Sequence, residues 1–206
     1  MLKVGVTGGI GTGKSIVCRV FALLGIPVYD SDARAKWVMH HHPELRQELI
    51  ATFGAEVFDS STNQLNRPYL ARLAFTNPAQ LTLLNQLVHP RVKQDFMDWV
   101  AAQQNIPYII KEAALMYETE AHRQVTKMIA VTAPLPVRQA RLLTRDPHRT
   151  LSDIQAIIEK QLPEEEKINR ADYIIYNNDQ QLVIPQIVAT HQQLLAYIAN
   201  QSSAAK

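Results

Sequence analysis

The sequence predicts an α/β protein built on a parallel sheet of five strands flanked by helices, and three observations carry that expectation. Short apolar runs alternate with longer amphipathic segments along most of the 206 residues. The first run, Leu2–Val6, feeds Thr7 and then Gly8-Gly9-Ile10-Gly11-Thr12-Gly13-Lys14-Ser15, a full match to G-x-x-x-x-G-K-[ST]. Acidic residues follow two other runs: Asp30 and Asp32 come after Ile26–Tyr29, and Glu112 after Pro107–Ile110. Those positions belong to the carboxyl edge of a parallel sheet, where such sheets bind ligands.

The glycine-rich stretch explains its own spacing. Glycines let the backbone turn tightly and aim N–H groups inward, around a polyphosphate seated at the positive end of the next helix. Lys14 adds a mobile cation for the β- and γ-phosphates, and the Ser15 hydroxyl is a candidate Mg²⁺ ligand. The stretch lies between an apolar strand and the helical pattern Val17, Val20, Phe21, Leu24, as the mechanism of a phosphate-binding P-loop demands. The fold expected is therefore that of the P-loop NTPases.

Composition narrows the class further. At 47% hydrophobic and 19% charged residues the chain reads as an ordinary globular protein, long enough for one core and an inserted subdomain. No apolar run approaches the roughly 20 residues that span a bilayer, so the expectation is a soluble, cytoplasmic protein with no membrane partner. A net charge of +2, with dispersed basic residues, offers no footprint for nucleic acid. The single cysteine, Cys18, reads as a small buried apolar residue. His40-His41-His42-Pro43 reads as an exposed helix end, because consecutive histidines do not face one ion from a helix.

Each further element follows from local pattern. Gly25 ends the first helix, Ile26–Tyr29 makes a second strand, and a helix is expected over Ala33–Met39. Asp30 and Asp32 are candidates for chemistry at the strand edge, and the alternative is that Asp30 or Ser31 caps that helix. From Pro43 to Ala102 the pattern is helical: Glu44–Phe53, Arg67–Phe75, Pro78–Leu87 and Pro90–Val100, with a surface loop at Asp59–Asn63. His89 stands just before Pro90, a pairing that favours a helix start and leaves the residue either structural or in contact with a ligand.

Pro107–Ile110 is the third strand. Glu112 beyond it either organises Mg²⁺ or pairs with Lys111. Lys127–Val131 is the fourth, followed by a helix from Leu135 through Thr144 on which Arg138, Arg141 and Arg145 share a face. With the polar helix that runs to Gln161 they form either a solvated surface or a phosphate-closing lid. Ala171–Tyr176 is the fifth strand, Leu182–Ile198 a closing amphipathic helix, and Gln201–Lys206 a frayed tail.

Several of these elements together resemble dephospho-coenzyme A kinase. They are TGGIGTGKS, the pair Asp30 and Asp32, Leu84-Asn85 with His89-Pro90-Arg91-Val92, Arg141 with Arg145-Asp146, Gln161, and Ala171-Asp172 with Asn177. The resemblance spans nearly the whole chain. It implies transfer of the ATP γ-phosphate to the ribose 3′-hydroxyl of dephospho-CoA, with Mg²⁺. It also implies a core at residues 1–40, 105–135 and 170–200, a helical CoA subdomain at about 41–104 and a lid at about 138–165.

Carried over by position, Asp32 is the general base, and Lys14, Arg141 and Arg145 are the catalytic cations. Gly9, Ile10, Gly11, Thr12, Gly13, Lys14, Ser15, Ile16 and Asn177 hold ATP, while Thr7, Asp32, His89 and Arg145 hold dephospho-CoA. The implied partners are these two small molecules, and the implied assembly is a monomer or weak homo-oligomer. This chain departs from the family pattern at three places: Ile16 stands where threonine is usual, Ile157 where arginine is common, and Ala114–Glu118 where Pro-Leu-Leu-Phe-Glu is common. Arg149 is a candidate to supply the charge absent at Ile157. The competing readings are a P-loop kinase for another small acceptor, such as a nucleoside monophosphate or a sugar acid, and a nucleotide-dependent switch. The sequence holds no Asn-Lys-x-Asp motif of guanine-specific switches.

Overall fold

In a computed structural model of the protein, residues 1–204 are described. They run in the order β1 (Leu2–Thr7), α1 (Lys14–Leu23), β2 (Val28–Asp30), α2 (Ser31–His41), α3 (Pro43–Phe53), α4 (Arg67–Thr76) and α5 (Pro78–Ala101). Next come β3 (Tyr108–Glu112), β4 (Lys127–Thr132), α6 (Leu135–Arg145), α7 (Leu151–Glu159), α8 (Glu164–Asn169), β5 (Tyr173–Tyr176) and α9 (Val183–Ala204). Two compact units result, a core of Met1–Asp30 with the chain from Asn105 onward, and a helical unit of Ser31–Gln104. The contact boundary thus falls after Asp30 rather than near residue 41.

In the core unit all five strands pair in parallel, in the order β2-β3-β1-β4-β5. Chain order reverses at β1, which continues to β3 on one side and β4 on the other, so the P-loop leaves the sheet at its topological switch point. One face of the central strands is apolar, with Val4, Val6, Tyr108, Ile110, Ile129 and Val131 all buried, and on the other face Ile109, Met128 and Ala130 are buried as well. They pack with Val17 and Phe21 of α1 and Ile187 and Leu194 of α9. Each such side chain, fully buried, contributes about 1.5–3 kcal/mol.

Lys111 lies within β3 and is buried. Its Nζ donates a 2.7 Å hydrogen bond to Gln124 Oε1 and sits 5.5 Å from the ring centre of Tyr29, so the strand continues through it. At the end of α1, Gly25 takes a left-handed φ of 81°, and the N–H of Ile26 returns to the carbonyl of Phe21 at 3.1 Å. The closing helix α9 extends further than its pattern implied. Gln201–Ala204 are helical instead of frayed, while Ala205 and Lys206 lie outside the described residues.

The helical unit has its own core of Val38, Leu45, Leu49, Phe53, Val57, Phe58, Leu70 and Val88. Its helix starts carry side-chain caps: His42 Nδ1 accepts the N–H of Leu45, Asn66 Oδ1 that of Tyr69, and Asn77 Oδ1 those of Ala79 and Gln80. Prolines in the first turns of α3, α4 and α5 suit positions whose N–H has no helical partner. Two expectations change here. Helix α2 begins at Ser31, two residues before Ala33, so of the two cap candidates Ser31 lies in its first turn and Asp30 stands just ahead of it. The two segments around His89-Pro90 are one 24-residue helix, α5, with Pro90 inside it. Val88 and Phe96, buried on either side of that residue, show packing outweighing the roughly 3 kcal/mol that an interior proline costs.

Candidate active site

The P-loop begins where β1 ends and passes into α1, whose first turn carries no acidic residue to offset its positive end. Thr12, buried, donates from Oγ1 to the carbonyl of Gly9 at 2.9 Å. Lys14 Nζ folds back onto the carbonyls of Gly8 at 2.9 Å and Gly9 at 3.5 Å. Gly13 is required for two reasons. Its φ of 91° is left-handed, and a Cβ there would stand 2.2 Å from Asn177 Nδ2. That same amide group donates to the carbonyl of Thr12 at 2.8 Å, so Asn177 is a buried brace on the loop.

Arg141 extends the brace. Its Nη2 donates to Asn177 Oδ1 at 3.2 Å and to Asp179 Oδ1 at 2.5 Å, while Nη1 is buried with no hydrogen-bond partner among the described residues. Arg145 is mostly exposed and paired with Asp146 at 2.8 Å, a carboxylate that Arg149 Nε also approaches at 3.2 Å. Asp146 lies below its ordinary value because the guanidinium of Arg145 bonds it.

Arg138, expected on the same face as these two, does something different. It is buried; Nε donates to the carbonyl of Ile10 at 2.8 Å, and Nη1 is ion-paired with Glu164. The other side of Ile10 is also held, its N–H donating to Gln161 Oε1 at 2.9 Å. Residues at i, i+3 and i+7 share a stripe but are spread over about 10 Å of helix axis, so one end of the stripe reaches the loop and the other reaches solvent. Helical periodicity supplied the stripe; it carried no signal for which arginine would be buried.

Asp30 and Glu112 occupy matched positions on the neighbouring strands β2 and β3. Their charge is felt at Cys18 on α1, whose buried thiol is pushed up by desolvation first, then by Glu112 and Asp30, with Lys14 opposing. Ser15 is exposed in the first turn of the same helix, and Ile16 is 57% exposed. Ser15 lies in the first turn of α1, and Asp30 and Glu112 act electrostatically on Cys18 one turn further along that helix. Among the described residues no group of three His, Cys, Asp or Glu side chains forms a ready cage for a metal. Thr7, the last residue of β1, is buried, and its Oγ1 has no hydrogen-bond partner among the described residues.

Two expected site residues belong to the helical unit. Asp32 is exposed in the first turn of α2, where a carboxylate suits the helix dipole. His89 is on an exposed face of α5, yet local desolvation pulls its imidazole below its ordinary value.

The comparisons with known proteins agree with one another. The model of the family described as dephospho-CoA kinase matches residues 2–183. A dephospho-CoA kinase from Bacteroides fragilis is 36% identical over 197 residues, covering 96% of this chain and 93% of that one. Another from Porphyromonas gingivalis is 35% identical, with coverage of 91% and 92%. Among solved structures, a protein from Thermus thermophilus matches with a TM-score of 0.82 and 30% identity, covering 95% of this chain and 97% of that one. The dephospho-CoA kinase from Campylobacter jejuni matches with a TM-score of 0.69 and coverage of 94% and 97%; at 21% identity it speaks for the fold alone.

Proposed function

The chain belongs to the dephospho-CoA kinase family, and from that premise we propose that it transfers the γ-phosphoryl group of ATP to the ribose 3′-hydroxyl of dephospho-CoA, giving coenzyme A and ADP. The observation that carries this reading in the chain itself is the braced P-loop, with Lys14 and the half-satisfied Arg141 guanidinium in the same unit. On ATP binding, Lys14 exchanges the Gly8 and Gly9 carbonyls for β- and γ-phosphate oxygens. Arg141 offers Nη1 to the same charge. Arg145 reaches the transferring group only by releasing Asp146, so its contribution belongs to a closed lid.

Asp32 takes the proton of the acceptor hydroxyl as that oxygen bonds to the γ-phosphorus and the bond to the β–γ bridging oxygen breaks. The electron pair of that bond leaves with ADP. Thr7 and His89 serve the acceptor, and a lowered imidazole keeps His89 neutral at pH 7. Asn177 serves the nucleotide through the Thr12 peptide that it braces.

A hard divalent cation such as Mg²⁺ fits the donors Ser15, Asp30 and Glu112, since Mg²⁺ uses one or two carboxylates and completes its shell with water and substrate phosphates. When bound, it neutralises charge on the β- and γ-phosphates.

The test is ADP release with ATP·Mg²⁺ and a panel of acceptors, dephospho-CoA, AMP, gluconate and none, for the wild type and Asp32→Asn. Turnover with dephospho-CoA alone, lost in Asp32→Asn while ATP binding persists, is the expected result. Turnover with AMP or gluconate instead overturns the acceptor, and full activity of Asp32→Asn overturns the base.

A further inference from the structure

We infer that Arg138 is a positioning residue of the P-loop, whose guanidinium, locked by Glu164, aims the Gly11 amide at the nucleotide phosphates. The inference rests on the reading that this loop holds ATP.

The two peptides that flank Ile10 are each held by a side chain from outside the loop. The Ile10 carbonyl accepts from Arg138 Nε at 2.8 Å, and the Ile10 N–H donates to Gln161 Oε1 at 2.9 Å. The described chain contains no cis peptide, and in a trans peptide the carbonyl and the following N–H point in opposite directions. Pinning the Ile10 carbonyl to Arg138 therefore turns the Gly11 N–H away from Arg138. A carbonyl released from that pin is free to rotate inward, where its oxygen would repel a phosphate.

The fit between Arg138 and the loop is tight on both flanking glycines. A Cβ at Gly9 would lie 2.4 Å from Arg138 Nη2, and one at Gly11 would lie 2.9 Å from the Arg138 carbonyl oxygen. Gly9 thus faces the Arg138 guanidinium, and Gly11 faces the Arg138 backbone.

The guanidinium is in turn held in place. Glu164 Oε2 pairs with Nη1, and Glu164 Oε1 accepts from the Thr132 hydroxyl at the end of β4 and from the Ala133 N–H at 3.2 Å. Gln161 and Glu164 stand at the junction of α7 and α8, so that junction contacts the loop both directly and through Arg138. Arginine is needed because its planar fork makes two bonds in fixed directions at once. A lysine keeps the charge opposite Glu164 but cannot hold that geometry.

The experiment compares wild type, Arg138→Lys, Arg138→Ala and Lys14→Ala by calorimetric titration with ATP and ADP, by steady-state kinetics and by thermal melting. Arg138→Lys is expected to melt within a few degrees of wild type. It should bind ATP and ADP about tenfold more weakly, the worth of one charge-assisted hydrogen bond, and show a matching rise in KM for ATP with KM for dephospho-CoA unchanged. Arg138→Ala should lose more along the same axis.

A merely structural role predicts a lowered melting temperature with losses shared by both substrates. That result, or a folded Arg138→Lys with wild-type ATP affinity, overturns the inference. Lys14→Ala separates this from failure of the premise: if it binds ATP as the wild type does, the loop does not hold the triphosphate, and the role of Arg138 falls with that reading.

Discussion

The core unit and the helical unit bury different chemistry. Of the described residues, the eight buried polar or charged ones, Thr7, Thr12, Lys111, Thr132, Arg138, Lys167, Asn177 and Thr190, all belong to the core unit. Among the described residues, those that the helical unit buries are apolar, and its hydrogen bonds include helix caps, the bond from the Tyr69 hydroxyl to the Phe53 carbonyl at 2.6 Å and ion pairs such as Arg34–Asp95 and Arg91–Glu48. A buried polar group is costly unless it is bonded in a definite direction, so a region rich in such groups is orientationally specified. An apolar core requires volume and shape, and its contacts carry little directional information. The core unit is thus built to hold backbone groups of the P-loop at set angles, and the helical unit to hold a shape.

Four measurements sharpen or break that contrast. Lys14→Ala should have the largest effect, with kcat/KM for ATP falling about 10³-fold, as for loss of a preorganised charge at developing negative charge. Its melting should be little changed; a large loss of stability would mean that the loop lysine is structural. Leu49→Ala, at a fully buried site of the helical unit, should reduce unfolding free energy by about 2–5 kcal/mol. Denaturant unfolding checks this, and nucleotide affinity that fell in parallel would break the division between shape and direction.

Asn177→Ala removes one brace from Thr12 and one from Arg141. ATP affinity should fall about tenfold, from roughly 1–3 kcal/mol of unsatisfied polar groups, with acceptor KM unaffected. The smallest effect concerns Asp59 in the helical unit's surface turn. Hydrogen bonds from Ser61 foremost, and from Thr62, hold its carboxyl near a pKa of about 2. A depressed folded pKa favours the native state above the ordinary carboxylate range and loses that contribution as pH falls toward 2. Carboxyl chemical shifts followed against pH should show Asp59 titrating near 2, and Ser61→Ala should raise it; an ordinary midpoint in the wild type would count against the turn.

Much of the core was readable from pattern. Each of the five strands overlaps the apolar run that predicted it, most closely in the central β1, β3 and β4, which are covered on both faces. The P-loop was readable because its chemistry demands glycines and a lysine at set intervals. The helical unit was less readable at its junctions. Pro90 signalled a break that packing by Val88 and Phe96 overrode, and the helix expected from Ala33 begins two residues earlier, at Ser31. Local propensities are worth less than about 1 kcal/mol for most residues and about 3 kcal/mol for an interior proline, within the reach of a few tertiary contacts.

The candidate site divides in the same way. Sequence alone supplied the candidates for the chemistry, Lys14, Ser15, the Asp30 and Asp32 pair and the arginines of α6, since charge and hydrogen-bonding capacity are properties of the residue itself. Only the tertiary structure decided their assignments. It buried Arg138 beneath Gly9 and Gly11, set Asn177 against Thr12 from 165 positions away, and left Arg145 with its neighbour Asp146. The first two of these partnerships are set by the placement of β4 beside β1 and of β5 beside β4, a nearness in space that no interval along the chain encodes.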